Sequence, residues 1–321
     1  MENGMKLSRR LFGWGLAVAA AMPVLGPSPA SAEDVIKVER SPVGQFEALY
    51  IGERLGLFKE RGIALDIKIG TSPDGALANV MSGERNVAVT GAVPLTAAVA
   101  NGLPVVAVLN VQDQQSVATF GLVVPKDSPI KTIEDLKGKK IGMPGIASPQ
   151  GSALLKTLEA HGMTRNDVEL VNLPFPGVLQ AVEAGSVDAG LPIGLFYDVA
   201  VEKGLRVFKE VFDNSTFGFP AVLYAASKEW ADANKDALKR FNEAMALAYD
   251  YANKHQDEIR EIDIKMTQMP PEYLKTRVIA PFVAGFNTAK WDEENAYLAK
   301  FGFISRAPQA SEYLWSDAPK Q

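Results

Sequence analysis

The chain has 321 residues, a formal net charge of −5 and no cysteine, and 47% of its residues are hydrophobic. That acidic balance argues against a nucleic-acid or anionic-membrane surface, both of which need basic patches. The lack of cysteine excludes disulfides, thiolate metal sites, a cysteine nucleophile and the acylated cysteine of a bacterial lipoprotein.

Residues 1–32 read as an export leader. Lys6, Arg9 and Arg10 precede an uncharged stretch from Leu11 to Leu25, and Ala30-Ser31-Ala32 forms a small-residue cleavage site with the cut expected after Ala32. The stretch is too short to span a membrane, and Pro23, Pro27 and Pro29 interrupt its end. Ser8-Arg9-Arg10-Leu11-Phe12 matches a twin-arginine signal, whose pathway exports folded proteins. The expected location of the mature chain, from Glu33, is therefore the periplasm. Its length points to two domains.

From Val35 onward short apolar runs alternate with helical stretches. Val35–Val38 predicts a strand, Phe46–Phe58 a helix, Leu65–Ile69 a strand, Pro73–Met81 a helix, Val87–Val89 a strand, Pro94–Ala100 a helix and Val105–Val111 a strand. The pattern then restarts with strands at Phe120–Val124 and Lys140–Gly142, a helix at Pro149–His161 and a strand at Val168–Val171. A helix at Pro176–Ala184, a strand at Val187–Ala189, a helix at Leu195–Glu202 and a return strand at Val222–Ala226 follow. Such alternation means βαβ units and largely parallel sheets. Gly62 and Gly83 in the first half match Gly162 and Gly185 in the second, each after a helical run, where glycine suits the left-handed residue that ends a helix. Two similar α/β lobes are the expectation.

After Ser227 the chain turns helical. Leu238, Phe241, Met245, Ala248 and Ala252 form one apolar stripe on a long helix, and further helices are expected at Gln256–Thr267, Pro271–Val278 and Asp292–Phe301. This tail is read as completing the first lobe. The expected division is residues 33–112 with 220–321 for lobe one and 113–219 for lobe two. Two crossings, near Asn110–Thr119 and Asn214–Phe219, then make a hinge.

In parallel α/β sheets the ligand crevice lies beyond the carboxyl ends of the strands. Pro73, Pro94, Pro149 and Pro176 stand where helices that start there should begin, with Ser72 and Ser148 at two N-caps. These are good helix starts in any protein; helix N-termini that converge on one cleft also make an anion site. The loops Gly44–Phe46, Gly70–Asp74, Thr90–Val93, Gly145–Ser148, Leu173–Phe175 and Pro192–Gly194 contain no Lys, Arg or His, which favours a singly charged, zwitterionic or neutral ligand. Asp74, the one carboxylate in them, suits either its helix dipole or a ligand amine. Phe46, Phe175 and Phe196 suit either the core or a ligand ring. His161 ends a helix and His255 lies on a polar stretch, so no catalytic constellation emerges.

Several segments in order resemble a known family. Ala48-Leu49-Tyr50-Ile51-Gly52-Glu53 leading into Leu55-Gly56-Leu57-Phe58-Lys59-Glu60-Arg61-Gly62-Ile63 is similar to the opening of the nitrate/sulfonate/taurine solute-binding proteins of the NMT1/THI5-like family. Ser82-Gly83 with Val87–Gly91, Ala100–Pro104, Val123–Ser128 with Ile133–Gly142, and Ala184–Ala189 continue the resemblance over roughly residues 35 to 230. It implies a type II periplasmic-binding-protein fold that delivers a small-molecule ligand to an ABC permease and its ATPase, as a monomer and without a cofactor. It also implies ligand contacts from Gln45, Phe46, Ser72, Thr90, Gly91, Ala147, Ser148 and Phe175, to which the loop reading adds Asp74 and Pro192. The loop Gly145-Ile146-Ala147-Ser148-Pro149 departs from the family's glycine- and serine-rich pattern. A sulfonate or taurine-like compound is the first expectation and a heteroaromatic or pyrimidine the alternative. The family's enzyme branch, which makes a pyrimidine, uses a cysteine-rich iron motif that this chain lacks. A sensory protein that docks on a receptor kinase would carry the same sequence features.

Overall fold

The computed structural model describes residues 33–321 apart from 42–43, 71–72, 115–120, 194, 209–217 and 268–269; the side chains of residues 73, 74, 175 and 195 are also outside the description. The predicted leader therefore lies outside the described residues, as do residues 115–119 and 214–217 of the two predicted crossings.

Two five-stranded sheets share one internal layout. The first half contributes β1 (Asp34–Arg40), α1 (Glu47–Arg54), β2 (Ile63–Ile69), α2 (Pro73–Met81), β3 (Val87–Gly91), α3 (Ala92–Ala100) and β4 (Val105–Asp113). The second contributes β5 (Leu122–Val124), β6 (Lys140–Met143), α4 (Pro149–Ala160), β7 (Glu169–Asn172), α5 (Phe175–Glu183), β8 (Ala189–Gly190), α6 (Leu195–Glu202) and β9 (Arg206–Phe208). β10 (Pro220–Ser227) then precedes α7 (Lys228–Ala233), α8 (Lys235–Lys254), α9 (Gln256–Met266), α10 (Pro271–Thr276), α11 (Thr288–Lys300) and α12 (Ala310–Tyr313). Strand order is β2-β1-β3-β10-β4 in one sheet and β7-β6-β8-β5-β9 in the other. β1 runs parallel to β2 and β3, and β6 parallel to β7 and β8. The fourth strand of each sheet, β10 or β5, is antiparallel to both its neighbours and follows a crossing from the other sheet. The matched glycines behave alike, with φ of +65° and +69° at Gly62 and Gly162 and +76° and +68° at Gly83 and Gly185.

Burial follows from the sequence pattern. β4 is buried along Val105–Gln112; its apolar run Val105–Leu109 requires this, and the buried Asn110 and Gln112 amides donate to the Gly285 and Ala280 carbonyls at 3.0 and 2.8 Å. Its outer edge is covered: the Trp315 and Val283 N–H groups donate to the Ala107 and Val111 carbonyls at 3.0 Å each, and the Asn110 N–H donates to Ala284 at 3.2 Å. Covering an edge in this way removes a template for pairing with another chain. The predicted stripe on α8 is wholly buried. Phe241 at its centre stacks on Phe58 at 5.7 Å and meets Tyr224 edge-on at 5.8 Å. Each large apolar side chain buried this way contributes about 1.5–3 kcal/mol. The second sheet has its own core, in which Leu122, Ile141 and Met143 meet Leu154, Leu155 and Leu158 of α4.

α11 touches both halves. Its Trp291 Nε1 donates to Thr96 Oγ1 of α3 at 3.2 Å, while its Glu294 and Lys300 pair with Lys156 and Glu159 of α4. The Lys156–Glu294 pair is deeply placed, with side chains 13% and 2% exposed.

Some element starts differ from expectation. Helix α3 begins at Ala92 and α5 at Phe175, so Pro94 and Pro176 are the third and second helical residues instead of the first. The first-turn N–H groups have no partner inside the helix, so proline costs little at any of these places. β8 starts two residues later than predicted. β9 and α12 have no counterpart in the sequence reading.

Candidate functional site

The topology fixes which strand ends carry the site. β4 runs parallel to β3, so its end at Asp113, opposite Pro220, marks the carboxyl edge of the first sheet. β5 starts opposite Phe208, the last residue of β9, which marks the carboxyl edge of the second. Both crossings therefore run from one carboxyl edge to the other. They lie side by side at the first sheet, where the Gln114 N–H donates to the Phe219 carbonyl at 2.8 Å and the Gly218 N–H donates to the Gln114 carbonyl at 3.0 Å.

Within each sheet the chain runs from the second strand in the spatial order out to the first, then back across to the third. Helices α1 and α2 thus leave β1 and β2 toward opposite faces, which makes the place between β1 and β3 a topological switch point, the position where such sheets take a ligand; the same holds between β6 and β8. Seven of the ten residues expected in the site fall at these two switch points. Gln45 and Phe46 follow β1, Thr90 and Gly91 end β3, Ala147 and Ser148 follow β6, and Pro192 follows β8. The other three belong to the outer strands. Ser72 follows β2 and lies outside the described residues; Asp74 and Phe175 sit in the first turns of α2 and α5, their side chains outside the description.

Local structure explains how these positions are held. Gly44 and Gln45 both adopt left-handed conformations, with φ of +70° and +59°. For glutamine that costs on the order of 1–2 kcal/mol. Thr90 is buried in β3 opposite Leu223. A Cβ on Gly91 would lie 3.1 Å from Cδ of Pro94, so glycine lets that proline sit in the first turn of α3. In the second lobe the Gly145 N–H donates to Asn172 Oδ1 at 2.9 Å, and the Ser148 N–H to the Ile146 carbonyl at 3.0 Å. Ser148 Oγ accepts the Gly151 N–H at 3.1 Å, so its hydroxyl caps α4. Ala147 is exposed and Pro192 buried.

The sequence reading missed the charges at this edge. Arg40, the last residue of β1, is 2% exposed and is the only buried arginine among the described residues. Its Nε donates to Tyr50 Oη at 3.0 Å, its Nη1 donates to the Ser41 carbonyl at 2.8 Å, and the guanidinium lies 4.0 Å from the Phe46 ring centroid. Phe46 is fully buried beneath it, with Tyr50 edge-on at 5.8 Å. The loops hold no cation, as read from the sequence; the buried one stands before them, in the strand. Ile36, Val38 and Arg40 alternate along β1, and that register was the available signal. Beside α1, Arg277 Nη2 donates to Glu47 Oε1 at 3.0 Å and also to Asp263. Burial pushes the Glu47 carboxyl well above its ordinary range, the nearby Asp263 carboxyl adds to this, and Arg277 opposes it.

Both histidines lie elsewhere. His161 ends α4, at the opposite end from Ser148, and its Nδ1 is 2.6 Å from Glu134 Oε1. His255 stacks on Tyr251 at 3.8 Å between α8 and α9.

Similar proteins include periplasmic binding proteins and proteins named for thiamine biosynthesis. A protein of Haemophilus influenzae named for thiamine biosynthesis is 27% identical over 286 residues, covering 83% of this chain and 86% of that one. A 4-amino-5-hydroxymethyl-2-methylpyrimidine phosphate synthase of Saccharomyces cerevisiae, THI12, is 28% identical over 218 residues, 63% of this chain and 62% of the yeast protein. Among solved structures, the periplasmic aliphatic sulphonate binding protein SsuA of Escherichia coli matches with a TM-score of 0.73 at 18% identity, over 89% of this chain and 98% of that one. This likeness establishes the periplasmic-binding-protein fold, with two α/β lobes. The family model described as NMT1/THI5 like matches residues 44–259, and the chain belongs to that family.

Proposed function

We propose that this chain is the exported solute-binding component of an ABC importer, which captures a small sulfonate-like or taurine-like solute between its lobes and presents it to a permease and its ATPase. The observation that carries this reading is the pair of similar sheets, between which the chain passes twice from carboxyl edge to carboxyl edge, the two passages meeting at Gln114 and Phe219. Two crossings permit rotation of one lobe against the other, and the switch-point loops lie where closure would enclose a ligand. Gln45, Phe46, Thr90, Gly91, Ala147, Ser148 and Pro192 form the central part of the proposed site, with Ser72, Asp74 and Phe175 at its outer ends. The lobes divide, on this reading, at residues 112 and 219. The leader directs the chain to the periplasm by the twin-arginine route, and the receptor works as a monomer.

A pyrimidine ligand is the second reading, favoured by the names of the thiamine-related relatives. An enzyme of the synthase type is less well supported: the sequence has no cysteine, and both histidines lie away from the switch points.

A thermal-shift screen of sulfonates, nitrate, pyrimidines and aromatic acids tests the proposal, because a ligand that binds only the folded state raises the melting temperature by mass action. The expected hit is a sulfonate whose affinity falls when Thr90 or Ser148 is replaced by alanine. A shift with pyrimidines alone supports the second reading. Conversion of a bound compound to product refutes the receptor assignment.

A further inference from the structure

We propose that Arg40 is the anchor for the acidic group of the captured solute, so that the site selects an organic monoanion over a neutral compound. The inference rests on the solute-capture reading and adds the ligand's charge and the residue that reads it.

A guanidinium stays protonated in proteins and carries five N–H donors. Arg40 uses one on Tyr50 and one on the Ser41 carbonyl. No ion pair among the described residues includes it, although the chain pairs Arg54, Arg61, Arg85, Arg240, Arg277 and Arg306 with carboxylates. The nearby carboxylates have other partners: Glu47 is engaged with Arg277, and the buried Glu39, beside Arg40 on β1, accepts from Asn79. Leaving a buried charge without a counter-charge is costly. Arg40 is also held in place: Phe46 supports its flat face, Tyr50 fixes Nε, and a β1 position between β2 and β3 sets the backbone. A planar donor group fixed at the carboxyl end of a switch-point strand is suited to a carboxylate or sulfonate, which accepts two parallel hydrogen bonds from it. Lysine there would supply the charge without that fork.

The test uses the mature protein, Arg40→Met and Arg40→Lys, melted in rising sodium methanesulfonate or sodium acetate, with sodium chloride at matched ionic strength. The wild type is expected to gain stability from an organic anion beyond the chloride control. Arg40→Met should bind that anion at least about 30-fold more weakly, and Arg40→Lys should recover part of the difference. Without any added anion Arg40→Met should melt no lower than wild type, since it removes an uncompensated buried charge. An Arg40→Met protein that melts lower or fails to fold makes Arg40 structural and overturns the proposal, as does an unchanged anion response. So does a wild type indifferent to both anions. If that wild type still responds to a neutral pyrimidine, solute capture stands and only the anion anchor falls.

Discussion

Replacing Gly151 by alanine tests the geometry of the second-lobe loop. Gly151 is the third residue of α4, and a Cβ there would stand 2.0 Å from the Ile146 carbonyl oxygen and 3.1 Å from its carbon. Contacts below 3.0 Å are not tolerated, so backbone must move by at least about 1 Å. The atom displaced is the acceptor of the Ser148 N–H, and Ser148 in turn caps α4 through Gly151. Overpacking of this kind costs about 1–3 kcal/mol. The disturbed cap adds about 1 kcal/mol, which the better helix propensity of alanine offsets by a similar amount. The expected net loss is about 1–3 kcal/mol, a fall of roughly 2–12 °C in melting temperature. Gly177 supplies the control. It holds the same third position in α5, but its nearest neighbours are Pro174 ring atoms at 3.1 and 3.2 Å, which need yield only slightly. Gly177→Ala should change stability by less than about 1 kcal/mol. Thermal and denaturant melts of both variants decide the matter. A Gly151→Ala protein that melts at or above wild type, or two glycines that behave alike, would refute the placement of the Ile146 carbonyl over the helix start.

Three further outcomes follow from contacts described above. Ser148→Ala should cost about 1 kcal/mol in urea unfolding through loss of the α4 cap, and an unchanged midpoint would show that the hydroxyl does not cap. Lys156→Met leaves Glu294 buried without its cation and should cost about 3–5 kcal/mol, while adding Glu294→Leu should recover most of that; additive losses in the double-mutant cycle would mean the two side chains are uncoupled. Glu47, whose folded-state pKa is raised above the ordinary 4.5, favours folding fully below pH 4.5 and loses that contribution as pH rises through its folded value. Glu47→Gln should therefore gain on wild type in melting temperature from pH 4.5 to pH 8, and a constant difference across that range would contradict the raised pKa.

The repeated layout was legible in the sequence because it rests on local signals. Gly62, Gly83, Gly162 and Gly185 each close a helical run with a left-handed residue, and that requirement is written at the residue itself. The stripe on α8 was equally readable, since its period needs no knowledge of the partner surface. β9 was not, because Arg206–Phe208 is too short to show alternation and pairs with β5, far away in the chain. The site divided the same way. Loops after the inner strands could be named from strand–helix junctions, but Arg40 lies two residues past the predicted strand Val35–Val38, and its burial depends on Phe46 and Tyr50, which come from the start of α1. The Glu47–Arg277–Asp263 group had no local signature, for its members come from α1, α9 and the segment just after α10.

The exchange of fourth strands has a consequence for synthesis on the ribosome. β3 and β4 are not neighbours; β10 separates them, and it emerges only after β5 through β9 have been made. The first sheet must therefore wait in two pieces while the second, whose five strands are consecutive in the chain, already has all its strands. The sheet begun first is finished last, and a nascent chain halted between β9 and β10 carries one complete sheet beside one that is still open, with α11 yet to cover α4.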